Sequence, residues 1–228
     1  MADALPSTLN YRNLAPFPTT VLACELVDAH TLNRDLMSWI QRPHQHQPGV
    51  QRSNAGGWHS DKTLADDPAA TAFLTLARDA LSQWAWHCFD LSQPPASAHW
   101  QIELWANLNR RGHYNHAHDH FRSGIIASAF YYVQCGDANA GGRTVFLNQQ
   151  SVPAFVQLTT PWRDREYAIT PQAGTLVVFP SWLGHRVEPY LGDGDRITLA
   201  LNAGHPELPV KRKGDRPLPP WLKRLLGR

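Results

Sequence analysis

Cysteine is scarce and scattered. Cys24, Cys88 and Cys135 are the only three in 228 residues, and no two form a C-x-x-C pair. That spacing argues against a disulfide framework or a thiolate zinc site and fits a reducing compartment. No run approaches the ~18 consecutive apolar residues of a membrane-spanning helix. The N-terminus lacks a charged region leading into an apolar stretch and a cleavage site. The expectation is a cytoplasmic protein with no membrane partner. A large excess of one charge is also missing. The formal net charge is +2, too little to draw the whole molecule to nucleic acid, so no nucleic-acid partner is expected. What asymmetry exists lies at the end, where seven Lys/Arg face only Glu207 and Asp215. No internal repeat or low-complexity segment interrupts the chain, and nothing in it fixes an oligomeric state.

Apolar residues make up 43% and charged residues 18%, an ordinary globular balance in a length that suits one domain. The first third reads as helix. Leu32, Leu36, Trp39 and Ile40 recur at helical intervals after Asp28, a plausible N-cap, and a polar stretch follows from Pro43 to Asp61. A second helix is expected from near Pro68 to about Phe89, with Phe73, Leu74, Ala77, Leu81, Trp84 and Ala85 on one face, closed by Pro94-Pro95. From Trp100 the pattern changes to short alternating segments. Those at Trp100–Leu108, Ile125–Gln134, Arg143–Leu147, Arg165–Ile169, Gly174–Phe179, Arg186–Tyr190 and Arg196–Asn202, with one near His116, make about eight strands. Helices first and strands afterwards predict a mainly β fold with flanking helices, a sandwich or jelly roll, as one domain over 1–205. Residues 206–228, basic and Pro-rich, read as a C-terminal extension.

Histidine and tryptophan are abundant, at twelve and nine. Four histidines crowd into Gly112-His-Tyr-Asn-His-Ala-His-Asp-His120. On a strand, residues two apart share a face, so His116 with His118, or His118 with His120, can converge on one ion. A distant third histidine, His185, follows the buried segment Gly174–Phe179 and the turn Pro180-Ser-Trp-Leu-Gly184. If the flanking strands form a hairpin about Asp193, Arg196 lies near Tyr190, about 17 Å of strand from His185. Arg196 and Thr198, two apart, can grip a carboxylate with a forked charge-assisted bond plus a hydroxyl.

These residues resemble those of the 2-oxoglutarate- and iron(II)-dependent oxygenases, and most of all a bacterial and phage branch of them. The resemblance rests on Ser53-Asn-Ala-Gly-Gly-Trp-His-Ser60, Gly112-His-Tyr-Asn-His-Ala-His-Asp-His120, Tyr131-Tyr-Val133, Phe179-Pro-Ser-Trp-Leu-Gly-His185 and Arg196-Ile-Thr198 with Asn202. It runs from about Pro16 to Ala203, and Gly142-Arg-Thr-Val-Phe146 is similar to prolyl hydroxylases.

The resemblance implies a double-stranded β-helix, the jelly-roll or cupin-like barrel, with Fe(II), the cosubstrate 2-oxoglutarate and O2. It implies His118, His120 and His185 as iron ligands, with His116, His118 and His185 as the other register. Arg196 and Thr198 would hold the distal carboxylate of 2-oxoglutarate, with Tyr131 and Asn107 as further contacts. Trp182 and Trp58 would border a small-molecule or amino-acid-like substrate, hydroxylated as 2-oxoglutarate yields succinate and CO2. One departure stands out: the superfamily usually supplies two His and one carboxylate to the iron, and here a third His takes that place. Two alternatives remain: a three-His cupin-type dioxygenase without 2-oxoglutarate, and a non-catalytic metal-binding β-barrel.

Overall fold

A computed structural model describes residues 19–136, 139–148 and 166–208. Two antiparallel sheets face one another. The major sheet contains β1 (Leu22–Glu25), β3 (Trp58–His59), β4 (Gln101–Asn109), β6 (Ala127–Gln134), β9 (Thr175–Pro180) and β11 (Arg196–Gly204), in the order β1-β9-β6-β11-β4-β3. The minor sheet contains β2 (Asn54–Ala55), β5 (Tyr114–His118), β7 (Thr144–Leu147), β8 (Glu166–Ile169) and β10 (His185–Val187), in the order β2-β5-β10-β7-β8. From β4 onward the strands pass alternately between the sheets, apart from β7 and β8, which pair with each other in the minor sheet; this is the winding of a double-stranded β-helix. The eight expected strands are all present, and three short ones (β1, β2, β3) join them from the N-terminal third, where no strand was expected.

The helices cover the outer face of the major sheet. Helix α1 spans His30–His46 and α2 spans Thr71–Cys88, the latter entered through a single 3-10 turn at Pro68–Ala70. Helix α1 outlasts its expected end by running through Pro43. A proline costs one intrahelical bond, and here it falls in the closing turn. The core divides accordingly. Leu36, Ile40, Phe73, Leu81 and Trp84 pack against Leu104, Ala129, Tyr131, Val178, Leu199 and Leu201 on the helix side. Phe130, Tyr132, Phe146, Val177 and Phe179 fill the space between the sheets. Both faces of the central strands are therefore buried, and β6 is inaccessible along nearly its whole length.

The hairpin expected about Asp193 does not form. β10 lies in the minor sheet between β5 and β7, whereas β11 lies in the major sheet between β4 and β6. Pro189 has no N–H to continue a ladder, Tyr190 bridges Gly141 instead, and the turn through Gly192 carries the chain across to the other sheet. His185 and Arg196 therefore belong to opposite walls of the barrel. Of the C-terminal extension at 206–228, residues 209–228 lie outside the described residues. Among the described residues, no helix is long and apolar enough to cross a membrane.

Candidate metal and cosubstrate site

Strand pairing assembles the histidines. His185 opens β10 and sits directly across from His118, the last residue of β5. His120 follows two residues on, its backbone N–H held by the Ser181 carbonyl at 2.8 Å, which ties it to the turn that leads to His185. The three rings stand 4.4–5.1 Å apart centroid to centroid, and one nitrogen from each lies within 4.8 Å of the others. Nitrogens at about 2.1 Å from a shared ion would stand about 3 Å apart on one octahedral face, so only a small closure is needed. Second contacts orient the rings. His118 Nδ1–H donates to the His116 carbonyl at 2.7 Å, and His185 Nδ1–H donates to the Leu183 carbonyl at 3.0 Å. Each bond fixes the tautomer that leaves Nε2 unprotonated, the form that can ligate a metal; at His118 the Ser53 hydroxyl stands 3.4 Å from that nitrogen.

Electrostatics favour the same state. Burial pushes His120 down to about 2 and His185 down to about 4, helped in both by neighbouring imidazoles, and burial also lowers His118. Neutral imidazole is the ligating form. His116, the other register, is exposed, and its ring packs edge-on to Tyr114 at 5.0 Å, away from the cluster. The register of β5 against β10 shifts here, with His185 opposite His118 but Val187 opposite Asn115, and His116 falls within that irregularity.

The histidines line one end of a cavity of about 260 Å³, and Arg196, Thr198 and Asn107 line it as well. Thr198 pairs with Asn107 on β4 and with Tyr132 on β6, so the three side chains form one inward row. Asn107 Nδ2 donates to Thr198 Oγ1 at 3.5 Å, which leaves the hydroxyl proton free for an acceptor. Arg196, 2% exposed, lies over the Tyr132 ring at 5.3 Å, its Nε is buried with no hydrogen-bond partner, and it enters none of the ion pairs found among the described residues. Gly142 permits this placement: a Cβ there would come within 2.9 Å of Arg196 Cδ and 3.0 Å of its Nε. The Tyr132 hydroxyl meets Thr144 Oγ1 at 2.9 Å, joining the two sheets beside Arg196.

Three expected contacts fall elsewhere. Tyr131 is one residue out of phase with the inward row; it packs among the helices, and its hydroxyl donates to Asn33 Oδ1 at 2.6 Å. Its neighbour Tyr132 takes the inward place. Trp58 also faces the helix-side core and donates to the Gln47 carbonyl, while His59, next along β3, turns into the cavity. Trp182 is 42% exposed and lines a separate apolar groove with Phe121, Phe89 and Trp84. In each case the strand or turn alternates, and the aromatic points to the opposite side.

The cavity wall holds residues that composition and motif did not single out. His59 is buried, donates Nδ1–H to the Ser60 carbonyl at 2.5 Å and stacks on Trp105 at 5.7 Å. Lys62 lies 4.7 Å over the Trp105 ring, and Arg52 stands at the mouth. Their signal in the sequence was only their closeness to the Gly56-Gly57 turn. A second cluster, His99, His205 and Glu207, offers less to a metal. His205 Nε2 donates to the Ala96 carbonyl and its Nδ1 accepts the Glu207 N–H, so both ring nitrogens are in use.

With this geometry in hand, residues 103–202 match the family model described as "Putative 2OG-Fe(II) oxygenase". That stretch, the strands that carry the cluster and Arg196, is thus similar to the 2OG-Fe(II) oxygenases, an oxidoreductase family that uses Fe(II), 2-oxoglutarate and O2. Among solved structures, the chain is similar to a prolyl-4-hydroxylase from Pseudomonas putida, at 20% identity and a TM-score of 0.60, covering 82% of this chain and 93% of that one. It is also similar to HygX from Streptomyces hygroscopicus, solved with nickel and 2-oxoglutarate, at 13% identity and a TM-score of 0.56, covering 87% and 90%. A third is the viral collagen prolyl hydroxylase of Paramecium Bursaria Chlorella virus-1 in its 2OG complex, at 14% identity and a TM-score of 0.53, covering 80% and 94%. At such identities the likeness is one of fold. No curated protein sequence matches the chain.

Proposed function

We propose that the chain is a dioxygenase that couples oxidative decarboxylation of 2-oxoglutarate to hydroxylation of a small-molecule or amino-acid-like substrate. The observation that carries this reading is Arg196. A guanidinium stripped of water, without a carboxylate partner and with a buried unsatisfied Nε, shares a cavity with three convergent imidazoles. A buried cation left so is costly unless a ligand completes it. A diacid with one end on a metal and the other on Arg196 does so.

The residues present fit both groups. His118, His120 and His185 would hold Fe(II) through Nε2. Arg196 would take the distal carboxylate of 2-oxoglutarate through its forked N–H groups, while Thr198 donates its hydroxyl proton to the same carboxylate and Asn107 holds that hydroxyl in place. When bound, Fe(II) with 2-oxoglutarate and O2 supplies the oxidising power for C–H hydroxylation, with succinate and CO2 as co-products. The chain positions and shields. Trp105 and Phe130 wall the cavity against bulk water, and Tyr132 backs the guanidinium. The third imidazole also fits a cupin-type dioxygenase that needs no 2-oxoglutarate, but such an enzyme leaves Arg196 unexplained.

Anaerobic titration of Fe(II) with and without 2-oxoglutarate tests the reading through the visible charge-transfer band of a chelated 2-oxo acid. The band should form with the wild type, weaken with Arg196→Ala and vanish with His185→Ala. Iron binding without any band in the wild type would turn the assignment to the three-His dioxygenase. Absence of iron binding would leave a barrel without this chemistry.

A further inference from the structure

The charge of the cavity extends the reading above to the substrate. An iron site with two His and one carboxylate, bound to dianionic 2-oxoglutarate beside one Arg, sums to zero. Here the third ligand is His120, so the same assembly carries one positive charge more. The wall around it adds to that surplus. Arg52, Lys62 and Arg196 line the cavity, and Asp119 is the one carboxylate among its lining residues. Asp119 is exposed, its Oδ1 accepts the Phe121 N–H at 3.1 Å, and its charge acts on His118 and His185, so it offsets the added charge at the imidazoles and leaves Arg52 and Lys62 to the rest of the wall. Glu103 stands 3.6 Å from Lys62, but it is shared with Arg122 and also accepts from Asn202 Nδ2. One carboxylate therefore serves two cations. Arg52 enters no ion pair found among the described residues, and its backbone N–H is held by Asn54 Oδ1 at 2.7 Å.

With Arg52 unpaired among the described residues and Lys62 sharing Glu103 with Arg122, cations exceed carboxylates here, and such an excess beside a partly desolvated cavity attracts and orients an anion. Apolar surface lies beside them: Lys62 sits over Trp105, and Phe130 lines the same space. We propose that the substrate oxidised here is a small organic anion, an apolar body carrying a carboxylate or phosphate, with its anionic group on Arg52 and Lys62 and its body against Trp105. The cavity of about 260 Å³, shared with a five-carbon diacid, has room beside the imidazoles for a small body. This inference rests on the oxygenase reading, and the experiment separates the two.

The Fe(II)–2-oxoglutarate band is first established without further additions; its absence overturns the oxygenase reading itself. With the band in place, matched pairs are titrated: N-acetyl-L-phenylalanine against its amide, and phenyl phosphate against phenol. The readouts are the shift of the band, which reports occupancy beside the metal, and succinate release. In at least one pair the anion should act at about tenfold lower concentration than its neutral partner, as expected for a charge-assisted contact in a partly buried site. The carboxylate and phosphate arms show which headgroup is preferred. Arg52→Gln and Lys62→Gln should each weaken the anion about fivefold, and the double variant should remove the preference. The proposal is overturned if neutral members act equally well or if no member acts. It is also overturned if the Gln variants bind the anion as tightly as wild type, or weaken 2-oxoglutarate to the same extent.

Discussion

Replacing Arg196 by Met should stabilise the protein without cosubstrate while removing its affinity for that cosubstrate. Arg196 is 2% exposed, its Nε has no partner, and its guanidinium rests against Tyr132, 5.3 Å from the ring centre. A buried unsatisfied polar group costs about 1–3 kcal/mol, more when charged, and a cation over an aromatic face returns about 0.5–2 kcal/mol. Met keeps the aliphatic stem that packs on Gly142 and leaves no charge to desolvate. The net change is about 1–2 kcal/mol in favour of the variant, or roughly 2–8 °C in Tm for a chain of this size. Cosubstrate moves the balance the other way. Removing one side of a buried charge-assisted pair costs about 2–5 kcal/mol, so the variant should bind 2-oxoglutarate at least ~30-fold more weakly. Thermal denaturation of the metal-loaded protein, with and without 2-oxoglutarate, measures both effects. At a hundredfold excess over Kd, the ligand adds about 2.7 kcal/mol to the wild type, an increment that should fall to about 0.9 kcal/mol or less in the variant at the same concentration. A less stable variant that still gains the full increment would show that Arg196 is a structural cation and not the carboxylate anchor.

Three further outcomes follow from the geometry. Gly142→Ala places a methyl group 2.9 Å from Arg196 Cδ at a residue with φ +65°, so it should cost about 1–3 kcal/mol and raise the half-saturating 2-oxoglutarate concentration; a neutral result in denaturant melts and in the charge-transfer titration would refute this. His120→Asp puts a negative charge at the ion, so retention of Fe(II) through dialysis should improve; weaker retention would show that the third imidazole is required for the geometry. Because His185 and His120 hold folded values of about 4 and about 2, below the ordinary ~6.5 for histidine, the unfolded chain binds more protons below pH 6.5. Stability of the metal-free protein should therefore be fully present above that pH and fall as pH drops towards 4, by up to about 1.4 kcal/mol per pH unit for His185 alone. A denaturant midpoint that stays flat from pH 7 to pH 5 would contradict this.

Local pattern in the sequence carried much of this protein. Alternation marked the strands from residue 101 onward and helical spacing marked α1 and α2; both survive in the structure, with α1 running six residues past Ile40 to His46. Spacing of two placed Arg196 with Thr198 on one face of β11; the same spacing failed for His116 with His118, and His120, beyond the end of β5, joins His118 through its backbone bond to Ser181. Which face that is, the sequence could not say. In a sheet wet on one side, apolar residues mark the inside, but the major sheet here is covered by helices on one face and closed by the barrel on the other. Tyr131 and Tyr132 are equally buried and equally aromatic, and only the docking of α1 and α2 decided that Tyr132 faces Arg196. The same parity separates Trp58 from His59 on β3. Pairing partners were hidden for a related reason. A hairpin was the nearest partner for β10 and β11 along the chain, yet Pro189 and the crossing through Gly192 sent them to opposite sheets. Local chemistry chose the residues for the site; long-range strand pairing, whose gain appears only once the barrel closes, set His185 and Arg196 on facing walls with a cavity between them.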